Sequence, residues 1–224
     1  YFKMPANIFI EGRPAGLFYG FRTNGIVTQE AIDKGLVPTY RGQQLQPGDI
    51  WYLDTDGSGN VDDMDKEVIG DPNPSFTYGF STSFRWKSLS LSMMFDGVYG
   101  NQIANGNLLP ETNTSPTGNN LHNVRTEAYL GAWSESNQDA RYPRLNRTAG
   151  QTKDFTDRIL ENGSYMRLSA VTLSYQFNFK RTSVVKNLGL SFTVRNAFTW
   201  SSYSGWDPEV SSFTNNALKV GVDW

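Results

Sequence analysis

The sequence predicts an all-β chain whose longest strands form part of the wall of a transmembrane antiparallel β-barrel. Three observations predict it: four runs of apolar/polar alternation, run lengths of about ten residues or more, and connections that alternate between short and long. Alternation with period two places every second side chain on one face of a strand. A tilted strand needs roughly 9 to 11 residues to cross a hydrocarbon layer, whereas soluble strands centre on about 5 to 6. Short turns at one end and long loops at the other are the rhythm of an outer-membrane barrel.

The first run covers Phe76 to Trp86, with Phe76, Tyr78, Phe80, Thr82, Phe84 and Trp86 on one face and Thr77, Gly79, Ser81, Ser83 and Arg85 on the other. After Lys87-Ser88 the second run, to Tyr99, sets Leu89, Leu91, Met93 and Phe95 against Ser90, Ser92, Met94 and Asp96. The third, Tyr165 to Phe179, opposes Val171, Leu173, Tyr175, Phe177 and Phe179 to Ala170, Thr172, Ser174, Gln176 and Asn178. Met166 and Leu168 fall on the other parity, which predicts a bulge near Ser169 or a strand leaving the bilayer. The fourth, Leu188 to Trp200, carries Leu190, Phe192, Val194, Phe198 and Trp200 on its apolar face, interrupted at Asn196. Aromatic residues gather toward strand ends, as interfacial girdles require. A soluble β-sandwich with long loops would share the alternation.

Composition narrows the function classes. With 20 basic and 22 acidic residues the net charge is -2, so no nucleic-acid partner is expected. No cysteine is present, which removes disulfides, zinc-thiolate sites and thiol catalysis. Tyr1-Phe2-Lys3-Met4-Pro5 has no signal-peptide pattern, and no run approaches the roughly 20 apolar residues of a spanning helix.

Several phrases then carry a resemblance. They are Gly12-Arg13-Pro14-Ala15-Gly16-Leu17-Phe18-Tyr19-Gly20-Phe21, Pro47-Gly48-Asp49-Ile50-Trp51-Tyr52-Leu53-Asp54, Val68-Ile69-Gly70-Asp71-Pro72-Asn73-Pro74 and Arg141-Tyr142-Pro143-Arg144. Further on come Gly163-Ser164-Tyr165-Met166-Arg167-Leu168-Ser169, Val194-Arg195-Asn196-Ala197-Phe198 and Tyr203-Ser204-Gly205-Trp206-Asp207-Pro208-Glu209-Val210. In this order they resemble the C-terminal section of SusC/RagA-type TonB-dependent transporters. The resemblance implies a 22-stranded plugged barrel in the outer membrane that imports glycan or peptide fragments with a SusD-like surface lipoprotein. It also implies that the plug, the TonB-contacting segment and a closing strand lie outside this chain, leaving an incomplete barrel. Residues 1–73 are then expected to be an extracellular loop region, and 74–224 barrel strands with extracellular loops.

The sharpest local chemistry is Asp54-Thr55-Asp56-Gly57-Ser58-Gly59-Asn60-Val61-Asp62-Asp63-Met64-Asp65. Oxygen-bearing side chains fall at loop positions 1, 3, 5, 9 and 12 (Asp54, Asp56, Ser58, Asp62, Asp65), Gly59 stands at the sharp turn, and Asn60 offers its carbonyl. This spacing suits calcium; a metal-free Asp/Gly turn is the alternative. No flanking helices are evident. Tyr129, Trp133, Tyr142, Tyr203 and Trp206 are expected in loops, where flat rings stack on sugars, meet a partner, or pack on the loop itself. Arg85, Asp96 and Arg195 belong to the inward face. No enzyme is expected: His122 is the only histidine, and Asp139, Asp154, Asp157 and Glu161 read as loop charge rather than a glycosidase pair. The rival from another class is a secreted soluble β-domain that binds glycans with calcium-ordered loops.

Overall fold

The computed structural model describes residues 7–108, 124–145, 151, 154–179, 184–210 and 221–223. They fall into two compact units, one of Tyr1–Asn73, Gln102–Glu161 and Val210–Trp224, the other of Pro74–Asn101 and Asn162–Glu209.

The second unit is the wall. Four antiparallel strands, Phe76–Trp86, Leu89–Tyr99, Tyr165–Asn178 and Asn187–Ser201, pair side by side in chain order. Their limits lie within a residue of those expected, the third ending at Asn178 and not at Phe179, where ladders commonly fray. Trp86 opposes Leu89 across the two-residue turn Lys87-Ser88, and Lys87 takes φ +54 to close it.

The parity slip in the third run is a bulge, because the register shifts between Leu168 and Ala170 against both neighbours. Ser169 is the extra residue against the second strand, and its hydroxyl donates to the Met94 carbonyl at 3.0 Å. On the fourth strand Asn196 has φ +49, a conformation asparagine tolerates better than most residues. The bulge has a purpose that the parity count hides. Leu168 now stands in one cross-strand row with Phe95 and Phe198, and Met166 shares a row with Trp200, so the apolar face stays continuous. The opposite face carries the row of Ser81, Met94, Ala170 and Arg195.

Among the described residues nothing covers the apolar face: Phe84 is 65% and Phe192 69% exposed. A soluble sheet would bury such a face, and lipid is the solvent in which it is stable. Each outer strand keeps one edge unpaired among the described residues, so the barrel is not closed by this chain.

The first unit has an ordinary water-excluding core. Phe21, Val27, Tyr40, Leu45, Ile50, Tyr52 and Val61 are buried together, with Tyr40 stacked on Tyr52 at 5.2 Å and Phe21 tilted on Tyr52 at 5.3 Å. Among the described residues its strands are only two to four residues long, and two helices of five residues appear, Gln29–Asp33 and Thr126–Leu130. Helical periodicity is unreadable over so few residues. Thr28, whose hydroxyl accepts from Ala31 N, caps the first of them. Gly20 admits no side chain, since a Cβ there would stand 2.3 Å from the Phe155 carbonyl, which accepts from Phe21 N at 2.9 Å.

A buried Tyr40 hydroxyl donates to Asp154 at 2.5 Å beside Arg41. Burial, then the Asp154 charge, push the phenol well above its ordinary range. An unfolded chain releases this proton near pH 10 while the folded unit holds it, so the contribution is intact below about pH 10 and lost as pH rises past it. Unfolding followed by tryptophan fluorescence should therefore set in on the alkaline side. Tyr40→Phe should flatten that alkaline limb while costing stability at neutral pH, because Asp154 loses its donor. An unchanged alkaline limb in the variant would assign the transition to another group.

Candidate functional site

The Asp/Gly loop leads from the buried Ile50–Tyr52 strand to the two-residue strand Asn60–Val61. A 3-10 turn, Asp63–Asp65, closes it through a capping box in which the Asp62 side chain accepts from Met64 N and Asp65 accepts from Asp62 N. Periodicity holds no sign of this turn. Of the six expected ligands the structure gathers three: one carboxylate oxygen from each of Asp54, Asp56 and Asp65 lies within 4.8 Å of the others. Asp65 is fully buried and accepts from Thr55 N at 2.7 Å. Asp54 accepts from Ser58 N and Gly59 N, and hydrogen bonds from Ser58 hold the Asp56 carboxyl below its usual range.

Ser58, Asn60 and Asp62 also make bonds that shape the loop, and the Asn60 carbonyl, its expected ligand atom, is distinct from its side-chain amide. The Asn60 amide oxygen accepts from Gly42 N at 2.7 Å and Thr39 Oγ1 at 2.9 Å, the Ser58 hydroxyl donates to the Asn60 carbonyl, and Asp62 caps the 3-10 turn. Among the described residues no cationic side chain pairs with Asp54, Asp56 or Asp65.

A second assembly joins two of the motifs noted above. The Pro47-Gly48-Asp49 turn meets the Arg141–Arg144 phrase: Arg144 N donates to the Gly48 carbonyl at 2.7 Å, and Arg144 Nε to Asp49 Oδ1 at 2.8 Å. Asp49 is fully buried and also accepts from Gln46 N. Gly48 has φ +87 and lies under the Trp133 ring, where a Cβ would come within 2.5 Å of it, so both conformation and space require glycine. Trp133 N in turn donates to the Tyr142 carbonyl at 2.9 Å.

On this floor lies an open groove of about 640 Å³, whose lining includes Tyr129, Leu130, Trp133, Ser134, Ser136 and Asn137. Tyr129 and Leu130 project outward from the short helix, 62% and 73% exposed. Among the described residues the lining is aromatic, aliphatic, hydroxyl and amide, with no charged side chain. Of the five expected loop aromatics, Tyr129 and Trp133 line the groove and Tyr142 backs it.

Tyr203 and Trp206 belong to the other unit. Tyr203 is buried over Gly205, while Trp206 is fully exposed. Their loop is rooted by Arg167, a buried side chain that donates to Asp207, Glu209 and Thr199 Oγ1. That ion triad is invisible to strand periodicity, which places Arg167 on the parity of Val171 and Leu173; only the bulge turns it to the face of Asp96 and Thr199. Two of the four carboxylates weighed as a glycosidase pair have structural partners: Asp154 holds Tyr40, and Asp157 accepts from Thr23 Oγ1 at 2.7 Å and Thr23 N at 3.3 Å. His122 lies outside the described residues.

No family model matches the sequence. Over all of its length the chain is 29% identical to TonB-dependent receptor P3 of Formosa agariphila, of which it covers 22%. It is 28% identical over 170 residues, 75% of the chain and 16% of the relative, to TonB-dependent receptor SusC of Bacteroides thetaiotaomicron. Among solved structures, the RagAB peptide transporter superposes over 99% of this chain and 22% of the matched one, with a TM-score of 0.73 and 23% identity. The RagAB peptide importer in the closed-closed state gives a TM-score of 0.71 with 24% identity over the whole chain, again 22% of the matched one. The chain thus spans about a fifth of the length of the curated relatives it matches. The resemblance to SusC/RagA-type TonB-dependent receptors holds in sequence and in fold, and the four strands have the fold of part of an outer-membrane β-barrel.

Proposed function

We propose that this chain, as part of a SusC/RagA-type TonB-dependent receptor, supplies barrel wall and extracellular loops to an importer of glycan or peptide fragments. In this reading it works with a SusD-like surface lipoprotein and is energised by TonB through a part of the transporter that the chain does not include. The observation that carries the reading is the whole-chain likeness to TonB-dependent receptor P3, joined to an apolar sheet face that the described residues leave exposed. The chain contributes no catalytic step. Deletion of the gene that carries it should abolish growth on one class of oligosaccharide or peptide, and restoring the gene in a strain lacking TonB should not rescue that growth. Rescue without TonB would end the proposal.

Within this reading the groove at Tyr129 and Trp133 contacts the imported fragment, since flat rings beside neutral hydroxyl and amide groups suit a polar, uncharged chain. The Asp54, Asp56 and Asp65 carboxylates hold calcium, which orders the loop. Three gathered negative charges with no cationic partner among the described residues support this, and hard oxygen donors suit that ion. Adding calcium to chelator-treated protein should raise its thermal unfolding temperature, and Asp54→Asn should blunt the rise. Identical unfolding with calcium and with chelator would show the loop to be an Asp/Gly turn.

A further inference from the structure

The two short turns of the wall carry a charge pattern that import does not call for. Residues 81–94, 170–179 and 184–195, the turn-side stretches of the four strands, contain Arg85, Lys87, Lys186 and Arg195 and no aspartate or glutamate. The acidic residues of this unit, Asp96, Asp207 and Glu209, all lie toward the long-loop end. Charge of one sign is thus segregated at one end of a sheet whose parent chain carries a net charge of only -2.

Lys87 sits in the first turn with its ammonium 5.1 Å from the centre of the Trp86 ring, and that ring is 59% exposed on the apolar face. In the second turn Lys186 follows Val184 and Val185, which are 103% and 54% exposed. Among the described residues no carboxylate pairs with either lysine. The first turn thus sets an ammonium over a ring suited to the acyl boundary, and the second carries a lysine next in sequence to two exposed valines.

We infer that the turn end of this wall binds anionic phospholipid headgroups in the leaflet it faces, with Lys87 and Lys186 as the headgroup contacts. The inference rests on the membrane-barrel reading. A lysine near an anionic surface improves binding about fivefold, and two of them give a preference for acidic over zwitterionic lipid that the net charge of the chain does not foretell. Arg85 and Arg195 share the polar face of the sheet and are not counted as contacts.

The test uses the whole transporter polypeptide purified in detergent, with native mass spectrometry reading the binding of phosphatidylglycerol and of phosphatidylcholine. The expected result is tighter binding of phosphatidylglycerol, falling roughly fivefold in Lys87→Gln and roughly fivefold again when Lys186→Gln is added. Lys87→Arg combined with Lys186→Arg should retain the preference. Equal binding of the two lipids, or a preference untouched by the double glutamine variant, overturns the inference, as does full displacement of the lipid by inorganic phosphate. Failure of the polypeptide to assemble as a barrel at all would instead overturn the membrane reading, and outer-membrane fractionation of the same samples separates the two failures.

Discussion

Phe80→Arg should remove the polypeptide from the outer membrane, whereas Ser81→Arg, one residue on, should leave it there. Phe80 lies near the middle of its strand on the face that no described residue covers, stacked on Phe95 with ring centres 4.6 Å apart. An arginine facing lipid at the midplane costs about 2 to 4 kcal/mol, and losing the ring contact adds to that cost. Ser81 points to the other face, beside a small depression of about 220 Å³ lined in part by Ser83, Ser92 and Thr172. A guanidinium there meets hydroxyls and water. The measurement is the folded, heat-modifiable fraction of each variant in outer-membrane preparations. If the two arginines behaved alike, the sheet would not be read by lipid on one face only.

The second large effect is expected at Asp49. Asp49→Ala deletes the fully buried acceptor of Arg144 Nε and leaves a largely buried guanidinium without its ion pair. Removing one partner of a buried pair costs about 3 to 5 kcal/mol, and the lower end applies because Arg144 keeps 23% of its side chain exposed. Loss of the pair should also release the Gly48 turn from beneath Trp133. Limited proteolysis should then cut between residues 124 and 145 far faster than in the parent, with the wall still resistant. Asp49→Ala combined with Arg144→Leu should recover much of the loss, since no charge is then stranded. A double variant as labile as the single one would mean that Asp49 acts through its bond from Gln46 N instead.

The wall is legible in the sequence because one rule governs it. Lipid outside and polar contents inside force period-two alternation, and the limits of the four runs can be read to about a residue. Even the bulge at Ser169 leaves a trace, in the parity of Met166 and Leu168, although only the register shows that it keeps those residues in the apolar rows. The first unit follows no such rule. Its strands of two to four residues are too short for a period to emerge, and its stability comes from pairs far apart in the chain: Asp49 with Arg144, Tyr40 with Asp154, Thr23 with Asp157.

The candidate site divides along the same line. Spacing locates Asp54, Asp56 and Asp65, because a twelve-residue loop brings its own ends together. It cannot tell that Asn60 turns toward Gly42, since that depends on a neighbouring strand. Tyr129 and Trp133 are legible as loop aromatics, but the floor that makes a groove of them is a contact between two motifs 95 residues apart in the chain.

The central claim is that this chain is wall and loop of a larger outer-membrane barrel, and it is tested most directly by fractionating native cells and sizing the polypeptide that yields its peptides. The expected result is a heat-modifiable band in the outer membrane several times larger than the 25.2 kDa of the chain itself. A 25.2 kDa species in the soluble fraction would contradict the account and favour a secreted β-domain that binds glycans through calcium-ordered loops.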